Sequence, residues 1–492
     1  MALIQEFFGY ISTATWGWAL IPFLVVFGVF FTIATRFVQF EFFFRMFNVL
    51  KGKNQTKDPN AISGREALWV SLAGRVGGGN IAGVAVAITL GGPGAVFWMW
   101  VIALIGMATS LVECTLAQVF KRRTSEGFFR GGPERSIIHG LGKEYKWLAG
   151  IFSVCMIAAF ALGFPAFQGN TVAGAALDSL GIERIWTATF LTIIAGIVGF
   201  GGIRRIAKAA DVVVPIMALG YIGMALLVVI MNISEIPGVI SSILQNAFGF
   251  QEAVGGGMGV AVAQGMRRGL FSNEAGLGSA PNVAATATVR HPVTQGITQS
   301  LSVFLDTIVI CSCTAFVILL SDVYVPGAEG IDGIVLTQQS LVSHLGSWTQ
   351  YFLTFAILLF TFSSVLYSFY MGENAMSNLT KNRFAIPVLR VAILCVIFTG
   401  GVAPGATAVF FFSDPLMGVL AVVNLLALVM LFPTATRIIA DYRSQLKKGI
   451  EHPVFDPSNF QDLDIDLTAW ETGGNVNKES FVESPKVDKA AA

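Results

Sequence analysis

From residue 15 to residue 436 the chain runs as long apolar stretches divided by short polar ones. Eleven of them have membrane length: 15–36, 65–91, 93–120, 147–169, 186–203, 211–232, 245–289, 296–321, 348–372, 384–403 and 413–436. About 20 apolar residues in a helix cross the hydrocarbon of a bilayer. The pattern therefore predicts an all-α polytopic membrane protein with 11 transmembrane helices. No Lys or Arg precedes the first stretch and no small-residue cleavage site follows it, so it is expected to be a span and not a leader.

Two stretches are interrupted. The second carries AGRVGGGNIAG at 73–83, with glycine at Gly74, Gly77, Gly78, Gly79 and Gly83. An interior glycine costs a helix about 1 kcal/mol relative to alanine. In hydrocarbon, each backbone group freed from the helix costs several kcal/mol more unless something satisfies it. The seventh stretch is too long for one span and contains its own polar break, GMRRGLFSNEAGLG at 265–278. With the first span set aside, the breaks fall in the opening span of each of two five-span halves. Five is odd, so two such halves have inverted topology. The expected organisation is residues 1–62 as an N-terminal span and loop, 63–232 and 233–440 as two five-helix repeats, and 441–492 as a tail. Paired breaks of this kind point to a transporter binding site: half-helix N-termini offer N–H groups to an anion, and unwound carbonyls offer oxygens to a cation. Close helix packing through small residues accounts for spaced glycines, but poorly for three in succession.

Charge fixes an expected orientation. Of 31 Lys and Arg, 24 fall in alternate loops and the stretch after the last span, and one, Arg184, falls in the others. The positive-inside bias predicts the N-terminus outside and the C-terminus in the cytoplasm. Composition agrees with a membrane protein: 54% of residues are hydrophobic and 12% charged, against about 25% charged in soluble domains. The net charge of +1 gives no reason to expect nucleic acid as a partner. Cys114, Cys155, Cys311, Cys313 and Cys395 lie in apolar stretches without a CxxC pair, and are expected to be small core residues. The four histidines lie in loops, helix ends or the tail, which argues against a His-based site inside the membrane. Gly77 to Ala82 matches a dinucleotide-binding pattern but lacks its strand–helix–strand setting. The acidic end of the chain, FQDLDIDLTAWE, is expected to be a solvated tail, with a contact to the protein body as the alternative.

The residues around the breaks carry a resemblance. GRVGGGNIAGVAVAITLGGPGAVFWMW and GMRRGLFSNEAGLGSAPNVAATA closely resemble the alanine/glycine:cation symporters, also called the sodium:alanine symporter family. The likeness runs over nearly the whole chain, including LDTIVICSCTAFVILL and FDPSNFQDLDIDL. It implies the inverted-repeat fold of LeuT-type transporters, and uptake of small neutral amino acids coupled to a co-transported cation, usually sodium. It places the substrate between the breaks, its carboxylate at Gly77, Gly78, Gly79 and Asn80 and its amino group at oxygens around Phe271, Ser272 and Asn273. Gln168, in what reads as the polar end of the fourth span, matches a position facing the substrate. Sodium would take the carbonyls of Ala73 and Val76 with the hydroxyls of Ser363 and Ser364; the alternative for those serines is bonding to their own helix. A second cation would involve Asn80 and Asp306. The sequence departs from the family where many members have threonine and this chain has Gly78, and at LYSFYMGEN, where many carry a tryptophan; both bear on substrate choice.

Charged residues inside spans are functional candidates by default. Asp306 falls near the middle of its span, as ion site or structural partner, and Glu113 nearer one end, as a structural group. Arg75, Arg267, Arg268 and Glu274 lie in the breaks, where an Arg–Glu pair is expected to clamp the two broken helices. The reading is thus an inner-membrane symporter, acting as a monomer among lipids by alternating access. Its rivals are proton coupling, in which Asp306 or Glu113 titrates, and a polytopic membrane enzyme, for which no His or Cys constellation speaks.

Overall fold

The computed structural model describes residues 10, 14, 16, 20–48, 62–124, 127–199, 203–249, 257–325 and 333–470, with backbone alone at 203–214, 407, 408, 411 and 412. The loop at 49–61, the part of the seventh expected span at 250–256, and the tail beyond 470 lie outside these residues.

The chain is helical almost throughout. In order, the helices of six or more residues are α1 (Ile21–Ala34), α2 (Gly64–Arg75), α3 (Gly79–Gly91), α4 (Gly94–Val119), α5 (Pro133–Gly140), α6 (Lys143–Leu180), α7 (Arg184–Gly199), α8 (Ile203–Met231), α9 (Ile236–Ala247), α10 (Gly257–Asn273), α11 (Ser279–Ala284), α12 (Pro292–Leu319), α13 (Gly333–Leu345), α14 (Trp348–Leu379), α15 (Ala385–Val402) and α16 (Ala406–Lys447). Among the described residues, six helices are long and apolar enough to cross a membrane, or eight if each sharply bent pair is one span. The stretches expected at 15–36 and 186–203 appear as the shorter apolar helices α1 and α7.

Both breaks are present, and the second differs from its expected extent. α2 and α3 form one apolar pair, bent by 53° across the break at residues 76–78. α2 starts on a capping box: the Ser63 hydroxyl accepts from the Glu66 N–H while Glu66 reaches back to the Ser63 N–H. In the seventh stretch, residues 265–273 are helical and only 274–278 are unwound, between α10 and α11. Polar side chains do not break a helix by themselves. The break sits where the backbone turns left-handed, at Glu274 (φ 55°), Gly276 (φ 85°) and Gly278 (φ 77°). Residues 245–247 belong to the separate helix α9, which turns off by 104° from the end of α8.

Two further differences matter. α6 continues to Leu180, so Gln168 lies inside a helix, fully buried, and not at a solvated end. The helix α13 fills a stretch read as a loop between spans.

The core is organised around α4, which packs along α10 and α12, and around α6, which packs along α14 and α15. A two-residue parallel ladder joins β1 (Ile62–Ser63) to β4 (Ala287–Thr288). It ties the entry of the first broken helix to the exit of the second. An antiparallel hairpin, β2 (Arg122–Arg123) and β3 (Phe129–Arg130), follows α4 on the same side of the molecule.

Candidate functional site

Glycine at 77–79 brings the backbone close to α6 and α14. A β-carbon on Gly77 would lie 2.7 Å from Ser364 Oγ, and one on Gly78 would lie 2.7 Å from Thr171 Oγ1. The freed N–H groups find side chains. Gly77 N–H donates to Asn80 Oδ1 at 2.9 Å, and Gly78 N–H to Gln168 Oε1 at 3.1 Å. Gln168 Nε2 is buried without a protein partner. Three π-helical stretches surround this point: Gly79–Gly83, Ile157–Gly163 and Phe304–Cys311. Such widened turns recur at functional sites, because they re-aim side chains and leave carbonyls off the regular ladder.

On one side of the first break lies a cluster of hard oxygens. The hydroxyls of Ser363 and Ser364 donate to the Ala73 carbonyl at 3.0 and 3.1 Å, and Ser364 Oγ is 3.5 Å from the Val76 carbonyl. Each serine also bonds the Phe360 carbonyl of its own helix, at 2.7 and 3.1 Å. Each hydroxyl thus reaches both its own helix and the break. The grouping suits a small monovalent cation, for which carbonyl and hydroxyl oxygens are the fitting donors.

On the other side, Asn80 Nδ2 donates to Asp306 Oδ1 at 2.6 Å and to Ser272 Oγ at 2.9 Å. Asp306 Oδ2 accepts from Ser272 at 2.6 Å and from Thr307 at 2.8 Å. This second cluster joins α3, α10 and α12 in one network. Cys311 belongs to it, its sulfur 3.2 Å from Ser272 Oγ and 3.4 Å from Asn80 Nδ2. Cys311 is thus the small buried core residue expected, and its sulfur also borders this network.

Over the glycine run sits an aromatic group. Phe271 contacts Phe164, Phe167 and Phe410 at 5.1–5.3 Å between centroids. A β-carbon on Gly79 would lie 3.4 Å from the Phe271 ring. Arg268 stacks on Phe410 at 3.6 Å and pairs with Asp414 of α16.

The remaining charged candidates hold the breaks. Glu113 accepts from Gly276 N–H at 3.2 Å and from the Asn424 amide at 3.1 Å. Arg75 donates to Ser302 and to the Gln299 carbonyl of α12, and Glu274 accepts from Ser279 and Tyr367. The expected Arg–Glu clamp is therefore replaced by separate anchors: Arg75 ties the first broken helix to α12, and Glu274 ties the second to α14. Asn273 does not join either cluster. Its Oδ1 accepts from Ala275 N–H at 3.0 Å, its Nδ2 has no protein partner, and it faces Gly106 of α4.

The sequence reading missed Thr171, Thr307, Phe164, Phe167, Phe410 and Asp414. Only Thr171, one helical turn past Gln168, and Thr307, next to Asp306, had a positional signal. The rest come together through tertiary packing alone.

Comparison with known proteins places the chain in a family. The model of the sodium:alanine symporter family matches residues 1–457. A Bacillus subtilis protein described as a probable sodium/glutamine symporter, GlnT, is 44% identical over 92% of this chain and 93% of its own length. The Bacillus sp. PS3 sodium/proton-dependent alanine carrier protein is 35% identical over 84% of this chain and 94% of its own. Among solved structures, MhsT in complex with L-phenylalanine superposes with a TM-score of 0.54 at 12% identity, covering 78% of this chain and 100% of that one, a likeness of fold. The family match and the apolar helices make this an integral membrane protein of an amino-acid/cation symport family. The chain belongs to the sodium:alanine symporter family.

Proposed function

We propose that the protein imports a small neutral amino acid, alanine or glycine, together with sodium, across the bacterial inner membrane. The substrate carboxylate replaces Gln168 Oε1 at the N–H groups of Gly77–Gly79, and the amino group meets oxygens near Phe271 and Ser272. Sodium is held by the carbonyls of Ala73 and Val76 and the hydroxyls of Ser363 and Ser364. The observation that carries the reading is this grouping of two serine hydroxyls with the Ala73 carbonyl, next to a glycine run with little room above it. The Phe271 ring against Gly79 favours a small side chain over glutamine. Two five-helix repeats in eleven spans would let the broken helices rock against the rest.

Proton coupling is a second reading, favoured by one observation: the Asp306 carboxylate sits in the network between the breaks. Both readings meet one experiment. Purified protein in liposomes is given labelled alanine, glycine, serine or glutamine under a sodium gradient at uniform pH, then under a pH gradient without sodium. Sodium-driven concentration of the smallest substrates is expected. Ser363→Ala with Ser364→Ala should raise the sodium concentration for half-maximal uptake roughly tenfold, or ~1.4 kcal/mol. Uptake driven by the pH gradient alone, with the double variant unaffected, would transfer coupling to Asp306.

A further inference from the structure

The motif FDPSNFQDLDIDL takes no part in the site, yet it is not a solvated tail. Phe455, Phe460 and, beyond the motif, Trp470 are buried. Phe455 stacks on Phe460 at 5.4 Å and meets Trp470 edge-on at 4.8 Å. The segment is anchored on four separate elements. Its Phe455 N–H donates to the Arg290 carbonyl at 2.9 Å, in the linker between the second broken helix and α12. Asp462 pairs with Arg437 of α16. Asp464 pairs with Arg122 at 2.8 Å and with His139 of α5 at 2.6 Å, and Asp466 accepts from the Arg123 N–H at 3.0 Å.

Trp470 closes the arrangement. Its ring lies 4.3 Å from Lys121 Nζ, which also faces the Phe129 ring at 4.4 Å and donates to the Ala287 carbonyl at 3.1 Å. Ala287 belongs to β4, whose partner β1 begins the first broken helix. The segment thus lies across the point where both broken helices are tied together. Its grip is of a kind that can be made and lost. The carboxylates of Asp464 and Asp462 are 58% and 57% exposed in their ion pairs, and exposed pairs hold weakly. Seven of its twenty side chains are buried, and its polar partners sit on different elements.

We propose that residues 451–470 form a clasp over the Lys/Arg-rich end of the transporter. The clasp closes that end when docked, and must lift from Arg122, His139 and Lys121 before the end can open. It rests on the alternating-access reading above. By its strength it would set the balance between the two access states.

The test uses the full-length protein in liposomes. His139→Cys with Asp464→Cys is tethered by a short bifunctional thiol reagent that a reductant cleaves; the wild type, which keeps exposed Cys395, receives the same reagent as control. Tethering should cut uptake at least tenfold, leave equilibrium substrate binding within twofold, and be reversed by reductant. The opposite change, Trp470→Ala with Asp464→Asn, should speed efflux several-fold. Tethered protein that transports at the untethered rate makes the segment a static brace and overturns the clasp, as does equal loss of binding and transport. Failure of the untethered protein to transport any amino acid would instead overturn the transport reading beneath it.

Discussion

At Gly78 the question is what a single β-carbon would displace. It would lie 2.7 Å from Thr171 Oγ1 and 2.9 Å from a ring carbon of Phe167. Both are held: Thr171 donates to the Phe167 carbonyl at 2.9 Å, and Phe167 packs on Phe410 at 4.3 Å. A side chain at 78 therefore presses on α6 before it reaches any substrate. Overpacking of this kind costs about 1–3 kcal/mol. Gly78→Thr is expected to lower the melting temperature and to slow uptake several-fold, and Thr171→Ala in the same chain should recover much of both. Uptake assays and melting curves on the single and double variants check this. Failure of Thr171→Ala to help would mean that α6 yields and that the space at 78 opens elsewhere.

At the scale of elements, the two breaks differ in how far the sequence reveals them. Gly77, Gly78 and Gly79 have no side chains to support a helix, and their succession marks the first break within a residue or two. The second was drawn too wide, because Arg267, Arg268, Ser272 and Asn273 are polar yet helical. Their polarity is answered by tertiary partners, such as Asp414 for Arg268, which no local pattern displays. The π-helical stretches were likewise silent: Ile157–Gly163 is an ordinary apolar run whose widening depends on its neighbours. Ser363 and Ser364 were legible by resemblance, whereas Cys311 needed the fold to bring it to Ser272. Glu113 tests how a break is held. Its carboxylate accepts from the Gly276 N–H in the unwound segment. Glu113→Leu removes that acceptor in a buried place, a loss of about 1–3 kcal/mol, and should lower the melting temperature and uptake together. Glu113→Gln keeps an oxygen for Gly276 and should retain gradient-driven uptake. Loss of concentrative uptake in Glu113→Gln, with normal stability, would make its proton part of the coupling.

Twenty-four of the 31 Lys and Arg fall in alternate loops and after the last span, and this bears on both orientation and the clasp. The hairpin residues Arg122 and Arg123, Arg437 of α16 and buried Lys121 all lie where the C-terminal segment docks. Burial pushes the Lys121 ammonium down to about 7, because desolvation disfavours its charged form. The acidic segment read as solvated because Asp456, Asp462, Asp464 and Asp466 outnumber its aromatic residues. The spacing of Phe455, Phe460 and Trp470 reads as a docking face only once the cradle is known. The same asymmetry predicts the topology, since short loops rich in Lys and Arg tend to stay on the cytoplasmic side during insertion. Glu183 lies in the connection from α6 to α7, beside the lone Arg184, and Lys381 lies in the connection from α14 to α15; both are exposed. A membrane-impermeant thiol reagent applied to intact cells should therefore label Glu183→Cys, and should label Lys381→Cys only after the membrane is opened. Cys395 faces outward from α15 within the apolar layer and should stay silent to that reagent. Labelling of Lys381→Cys from outside in intact cells would invert the molecule. The clasp would then lie on the face that meets substrate first, where it would control entry and not release.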